Sequence, residues 1–226
     1  MTVLGLETSS AVCSVGIAWD EGKRLGRSLT EERIHSEKLI TLTAGVLTEA
    51  AMKPSELSGV AVSGGPGSFT GLRIGMSSAK GLSRSLGIPL VVVPTFEALA
   101  EAVRTSREGL GNLLIALDAR QGDFYVQRFD LEPGRAVAAE AAGIVALQDL
   151  AERCRQWDPD LVVTDVSRFD SICAKVLAVR ADEFFRGDVV ASLGLASIRA
   201  GRLTNPVDAE PIYLKDFVVR QHRVPS

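Results

Sequence analysis

The feature that most constrains the fold of this chain is a pattern that occurs twice. Leu4-Gly5-Leu6-Glu7-Thr8-Ser9 is an apolar strand running into one carboxylate, and Leu114-Ile115-Ala116-Leu117-Asp118-Ala119-Arg120 resembles it. Each is followed by a second strand that also ends in an acid, residues 12–19 before Asp20 and residues 124–129 before Asp130. Two buried strands around a turn can match each other by chance, so the match is an expectation of internal duplication and no more. A duplicated chain needs two lobes. The polar, glycine-bearing stretch 104–111 supplies a boundary, giving a first lobe of residues 1–106 and a second of 107–226.

Between these anchors the periodicity predicts an α/β alternation. A third strand is expected over 24–30. A helix over 36–51 has Ser36 as its cap and Glu37 at the positive end of its dipole. Residues 57–63 read as a strand feeding Gly64-Gly65-Pro66-Gly67-Ser68-Phe69, after which Thr70 caps a helix that Gly87 ends. A strand over 90–93, helices over 96–103, 148–156 and 189–200, and a strand over 161–164 complete the reading, with the final 25 or so residues less regular.

Bulk properties remove several classes of function. With 226 residues, 46% hydrophobic and 23% charged, the chain can bury an ordinary globular core. Cys13, Cys154 and Cys173 lie far apart with no C-x-x-C pair, which suits a reducing compartment rather than a disulfide framework or zinc clamp. Neither an export signal nor eighteen consecutive apolar residues is present, so the expected location is cytoplasmic, without a membrane partner. A net charge of −3 argues against strong polyanion binding by this chain alone.

Most enzyme motifs are incomplete. A G-x-G-x-x-G counted from Gly65 needs glycine at Thr70, and a P-loop needs Gly-Lys-Ser/Thr where the chain has Gly71-Leu72-Arg73. Ser63 has Gly65 after it but Ala61 before it, so the nucleophile elbow fails. Only His35 and His222 are present, neither with a second histidine at ligating distance. Two readings stay open for the glycine loop: an anion site at a helix N-terminus, or a tight turn with close helix packing. Glu7, Asp118 and Asp165 at strand ends are equally open, as metal-nucleotide ligands or bases, or as turn formers.

The run Gly65-Pro66-Gly67-Ser68-Phe69-Thr70-Gly71-Leu72-Arg73-Ile74-Gly75, with Ala79-Lys80-Gly81-Leu82, is similar to the signature of the TsaB family, also called YeaZ. Leu6-Glu7-Thr8-Ser9, His35-Ser36-Glu37-Lys38-Leu39, Leu117-Asp118-Ala119-Arg120 and Pro211-Ile212-Tyr213-Leu214-Lys215 extend the resemblance over most of the chain. It implies an actin/Hsp70-like duplicated two-lobe fold with mixed sheets flanked by helices. It also implies an accessory role in forming threonylcarbamoyladenosine in tRNA: the family holds the catalytic TsaD subunit, is joined by the ATPase TsaE, meets tRNA only through the complex, and forms homodimers when its partner is absent. No catalytic residue, metal or cofactor is assigned. Residual phosphate-site candidates are Glu7, Thr8, Ser9 and Asp118, although Glu7 stands where nucleotide-binding relatives have aspartate followed by glycine. Lys215 replaces a usual arginine. The alternatives are an ATP-binding ATPase or kinase of the same fold, or a glycoprotease-like peptidase.

Two helices carry more apolar residues than one core-facing stripe requires. Leu39, Ile40, Val46 and Leu47 on the first, and the small-residue row Gly71, Gly75 and Ala79 on the second, are therefore expected to form the partner interface. The competing reading buries both helices within their own lobe.

Overall fold

Two sheets with one shared strand order organise the chain. In the computed structural model, which describes residues 1–30, 35–166, 169 and 176–215, β1 (Thr2–Glu7), β2 (Val12–Trp19) and β3 (Arg24–Thr30) form an antiparallel meander. After α1 (His35–Glu49), β4 (Gly59–Ser63) joins β1 in parallel, and after α2 (Phe69–Leu86), β5 (Leu90–Val93) joins β4 in parallel, giving the order β3-β2-β1-β4-β5. The chain passes through α3 (Thr95–Ser106) and repeats the plan. β6 (Asn112–Asp118), β7 (Asp123–Glu132) and β8 (Arg135–Ala138) are antiparallel, β9 (Gly143–Ala146) also pairs β7, and α4 (Leu147–Trp157) leads to β10 (Leu161–Thr164) and β11 (Ala178–Arg180), both parallel. Read from the meander outward, β8-β7-β6-β10-β11 copies the first sheet. This is the duplicated actin/Hsp70-like architecture, and Glu7 and Asp118 occupy equivalent ends of β1 and β6.

The helices complete five layers. Leu4, Leu6, Val15 and Ile17 point one way from the first sheet and pack with Leu39 and Val46 of α1 and Met76 and Ala79 of α2. Val3, Ala18, Ala61 and Val91 point the other way and pack on α5 (Gly187–Arg199) through Val190, Ala191 and Leu195. In the second sheet Leu113, Ile115 and Leu117 face Phe96, Leu99 and Val103 of α3, whereas Leu114, Ala116 and Val126 face Leu150 and Cys154 of α4. The middle layer is thus exchanged: α3, following the first sheet's last strand, covers the second sheet, and α5, following the second sheet's, covers the first. The boundary expected at 106/107 falls between α3 and β6, so the strands separate there but these two helices cross over.

A row of glycines makes room for α5. Gly5 pairs Gly16, and Gly16 pairs Gly26, directly across three adjacent strands. A Cβ at Gly5 would lie 2.1 Å from the Gly187 carbonyl, so the helix start sits on bare backbone. There Asp188, 5% exposed, receives Arg186 at 2.7 Å, and Ser14 Oγ accepts from the Gly187 amide at 2.9 Å.

Local details differ from the sequence reading at helix starts. α1 begins at His35, one residue before its expected cap, and α2 is capped by Ser68 rather than Thr70, the Ser68 hydroxyl accepting from the Gly71 amide at 3.3 Å. The side chains of His35 and Ser36, together with Cys173 and His222, lie outside the described residues. β8, β9 and β11 add three strands to those expected.

Candidate functional site

The first-lobe turn is built around a carboxyl group facing inward. Glu7 ends β1 at 1% exposure. Its Oε1 accepts from the Ser9 amide at 2.7 Å, the Ser9 hydroxyl at 2.5 Å and the Ser63 hydroxyl at 3.1 Å. Ser63, at the end of β4, in turn accepts from the Thr8 amide at 3.3 Å. Burial raises the Glu7 pKa, and the hydrogen bonds from Ser9, Ser63 and Thr8 work against that rise without overcoming it. The alternative of Ser63 as a nucleophile is met by this geometry: its hydroxyl is fully buried and committed to Glu7.

The glycine loop closes over the same turn. Ser68 N donates to Ser9 O at 2.6 Å, Thr8 Oγ1 donates to Gly71 O at 2.8 Å, and a Cβ at Gly71 or Gly75 would lie 2.0 Å from Thr8 O or 2.2 Å from Thr8 Oγ1. The space where an anion would approach the start of α2 is filled by the β1–β2 turn, and Ser68 takes one of the helix's open amides. Of the two readings of the loop, close packing describes what the structure holds. Glu7, Thr8 and Ser9 are brought together there as a hydrogen-bonded unit.

Asp118 belongs to the corresponding turn of the second lobe. Its amide donates to Asp165 Oδ1 at 2.9 Å and its own Oδ1 accepts from the Arg120 amide at 2.8 Å. Burial raises the Asp165 pKa, with the Asp118 charge adding to the rise and Arg180 opposing it. Asp118 and Asp165 therefore meet as a turn-forming pair. Among the described residues no group of three or more His, Cys, Asp or Glu side chains is placed to hold a metal ion.

Most of the expected partner stripe is taken up by packing within its own lobe. Leu39, Val46 and Leu47 are core residues of the first lobe, and Gly71, Gly75 and Ala79 face Thr8 and β4 within this chain. The apolar surplus on α1 arises because that helix covers β2 and β3 broadly, and the small-residue row on α2 lets it approach the β1–β2 turn. Ile40 alone of that set faces outward, 59% exposed. Beside it the outward faces of the adjacent helices carry Thr41, Ala44 and Gly45 on α1 and Ser77 and Gly81 on α2. Neither Gly45 nor Gly81 has any neighbour within 4 Å of where a Cβ would stand. A mid-helix glycine costs about 1 kcal/mol relative to alanine, and two of them stand on open faces of these neighbouring helices with no contact in this chain to account for them.

Comparison with known proteins agrees with this architecture. The family model described as "TsaD: tRNA N6-adenosine threonylcarbamoyltransferase" matches residues 30–155, more than half of the chain. The tRNA threonylcarbamoyladenosine biosynthesis protein TsaB of Escherichia coli is 28% identical over 230 residues, covering 96% of each chain. The protein of the same name from Bacillus subtilis is 29% identical over 158 residues, covering 70% of this chain and 68% of its own. The solved structure of YeaZ from Pseudomonas aeruginosa superposes with a TM-score of 0.82 at 24% identity, over 94% of this chain and 99% of that one, which establishes the shared fold. On the family match and the end-to-end likeness to the Escherichia coli protein, this chain belongs to the TsaD-related family, in its TsaB (YeaZ) branch.

Proposed function

We propose that the chain is a non-catalytic subunit in the formation of threonylcarbamoyladenosine in tRNA, holding a TsaD-type catalytic subunit through the outward faces of α1 and α2. The observation that carries the reading is a contrast of two surfaces. The carboxyl and hydroxyl groups that could do chemistry, on Glu7, Thr8, Ser9 and Ser63, are turned inward onto one another, while Ile40, Ala44, Gly45, Ser77 and Gly81 lie open on two adjacent helices. Small residues on a helix pair let a second helix pair approach closely. The same surface serves a second copy of the chain when the partner is absent. A TsaE-type ATPase joins the assembly and tRNA is met through the complex, consistent with a net charge of −3. Residues 1–106 form the lobe presenting the interface and residues 107–226 the second. Among the described residues no helix is long and apolar enough to cross a membrane, and we place the protein in the cytoplasm.

The test is co-expression with a TsaD-type subunit followed by size-exclusion chromatography. Gly81→Trp and Ile40→Glu change open positions and leave the melting transition cooperative; each is expected to abolish co-elution and the homodimer. Co-elution of both folded variants at the parent's level would refute this surface. Threonylcarbamoyl transfer to tRNA by this chain alone would refute the non-catalytic reading.

A further inference from the structure

We propose that the segment from Pro211 to Lys215 is a latch between the lobes, mechanically coupling the start of α2 to the second lobe's β6–β7 turn. Its first anchor lies on the glycine loop. The Ile212 amide donates to Gly64 O at 2.7 Å, and the Ile212 carbonyl sits 2.5 Å from where a Gly65 Cβ would be. Tyr213 follows, its ring centroid 5.1 Å from that of Phe69. The Arg73 guanidinium lies 3.8 Å over the Phe69 ring and donates through Nε to the Tyr213 hydroxyl at 3.2 Å. Phe69 and Arg73 are in the first two turns of α2.

Two residues later the chain is bound to the other lobe. Lys215 Nζ reaches Asp123 Oδ2 at 2.7 Å, Arg120 O at 3.1 Å and Ala119 O at 3.4 Å, three oxygens for the three N–H donors of an ammonium. These acceptors come from one tight turn in which Arg120, Gln121 and Gly122 have φ of 63°, 60° and 82°. The left-handed region disfavours the first two residues, and the turn aims successive carbonyls at a single point. A cation there offsets the crowding of carbonyl oxygens and so selects the conformation. Lys215 is only 22% exposed, so its charge is screened less than that of a free surface lysine.

A segment bound to two bodies couples them, and the coupling is reciprocal: loosening either anchor loosens the other by the same factor. A residue that merely packs locally has no such property. Native-state hydrogen exchange read by mass spectrometry separates the two cases. Lys215→Met keeps the aliphatic stem and removes the charge. It is expected to raise exchange about tenfold both at residues 119–123 and at the first anchor, at Gly64 and Gly65 of the other lobe and at Ile212 of the latch. Tyr213→Ala, which cuts the first anchor, is expected to raise exchange at 119–123 as well. Lys215→Arg keeps a cation and is expected to retain protection at both ends. Asp123→Asn removes the one charged acceptor of the three and gives a smaller rise at both ends, and it carries the readout should Lys215→Met fail to fold. Loosening confined to the end that was mutated, or none at either end, overturns the proposal.

Discussion

The Asp188 amide nitrogen lies 2.2 Å from the point where a Cβ on Gly16 would begin, and the Asp188 Cα and Cβ lie 2.4 and 2.7 Å from it. Helix α5 is therefore seated on β2 with no space for one methyl group. Gly16→Ala must push the helix off the sheet, and the expected loss is at the upper end of the roughly 1–3 kcal/mol range of overpacking. At Gly26 the nearest atoms are Asp188 Oδ1 at 3.0 Å and Cβ at 3.2 Å, tight contacts without the overlap found at Gly16. Gly26→Ala is expected to cost clearly less. Urea unfolding midpoints of the two variants measure the difference, and equal losses would mean that α5 does not sit as described.

The Glu7 carboxyl predicts a pH dependence with a definite sign. Its pKa is raised above the ordinary value of 4.5, chiefly by burial, so the folded state keeps this proton longer than the unfolded chain does. Through the window from about 4.5 upward to the raised value, the folded state binds more protons, and this group's contribution to stability falls as pH rises. Glu7→Gln is neutral throughout, and its Oε1 can still accept from Ser9 and Ser63. Its melting temperature minus the parent's should therefore grow between pH 5 and pH 8. Asp165 and Glu97, also raised by burial, are common to both proteins and cancel in that difference. A flat difference would contradict the inward carboxyl.

Glycines on one helix should answer oppositely to the same change. Gly75→Ala places a methyl 2.2 Å from Thr8 Oγ1 and disturbs its hydrogen bond to Gly71 O, with an expected loss of about 1–3 kcal/mol. Gly81→Ala meets nothing and should stabilise by up to about 1 kcal/mol through helix propensity. Thermal unfolding of the pair checks which face of α2 is turned inward.

Cys13 should be inert in the native protein. Burial, with a further contribution from the Glu7 charge, pushes its thiol to about 11. Burial is the dominant cause. Reaction with a thiol-specific disulfide reagent at pH 8 is expected to wait for unfolding, and rapid labelling of Cys13 at low denaturant would show that β2 is more open than described.

Strands β2, β3, β5 and β10 were legible to the residue because each is a bounded run of buried or alternating side chains. The short β8, β9 and β11 were not: four, four and three residues carry too little periodicity, and pairing with β7 or β10 defines them. The duplication was legible because strand-end acids recur, whereas the crossing of α3 and α5 was not, since periodicity says which face is apolar but not which sheet it covers. The burial of the residues expected at the partner surface was illegible for a related reason. Apolar residues on α1 and glycines on α2 register as adhesive wherever they point, and only the β1–β2 turn beneath Gly71 and Gly75 shows that they are already occupied. Ser68 and Thr70 are both competent caps, and the register of the loop chose between them.

The exchanged middle layer also bears on synthesis. When β5 leaves the ribosome, the first sheet has α1 and α2 on one side, but Val3, Ala18, Ala61 and Val91 stay wet until α5 is made, about a hundred residues later. At about 5–20 residues per second that interval is on the order of ten seconds. The nascent amino-terminal half thus presents an apolar sheet face to whatever chaperone meets it, and only a chain that reaches α5 can close it.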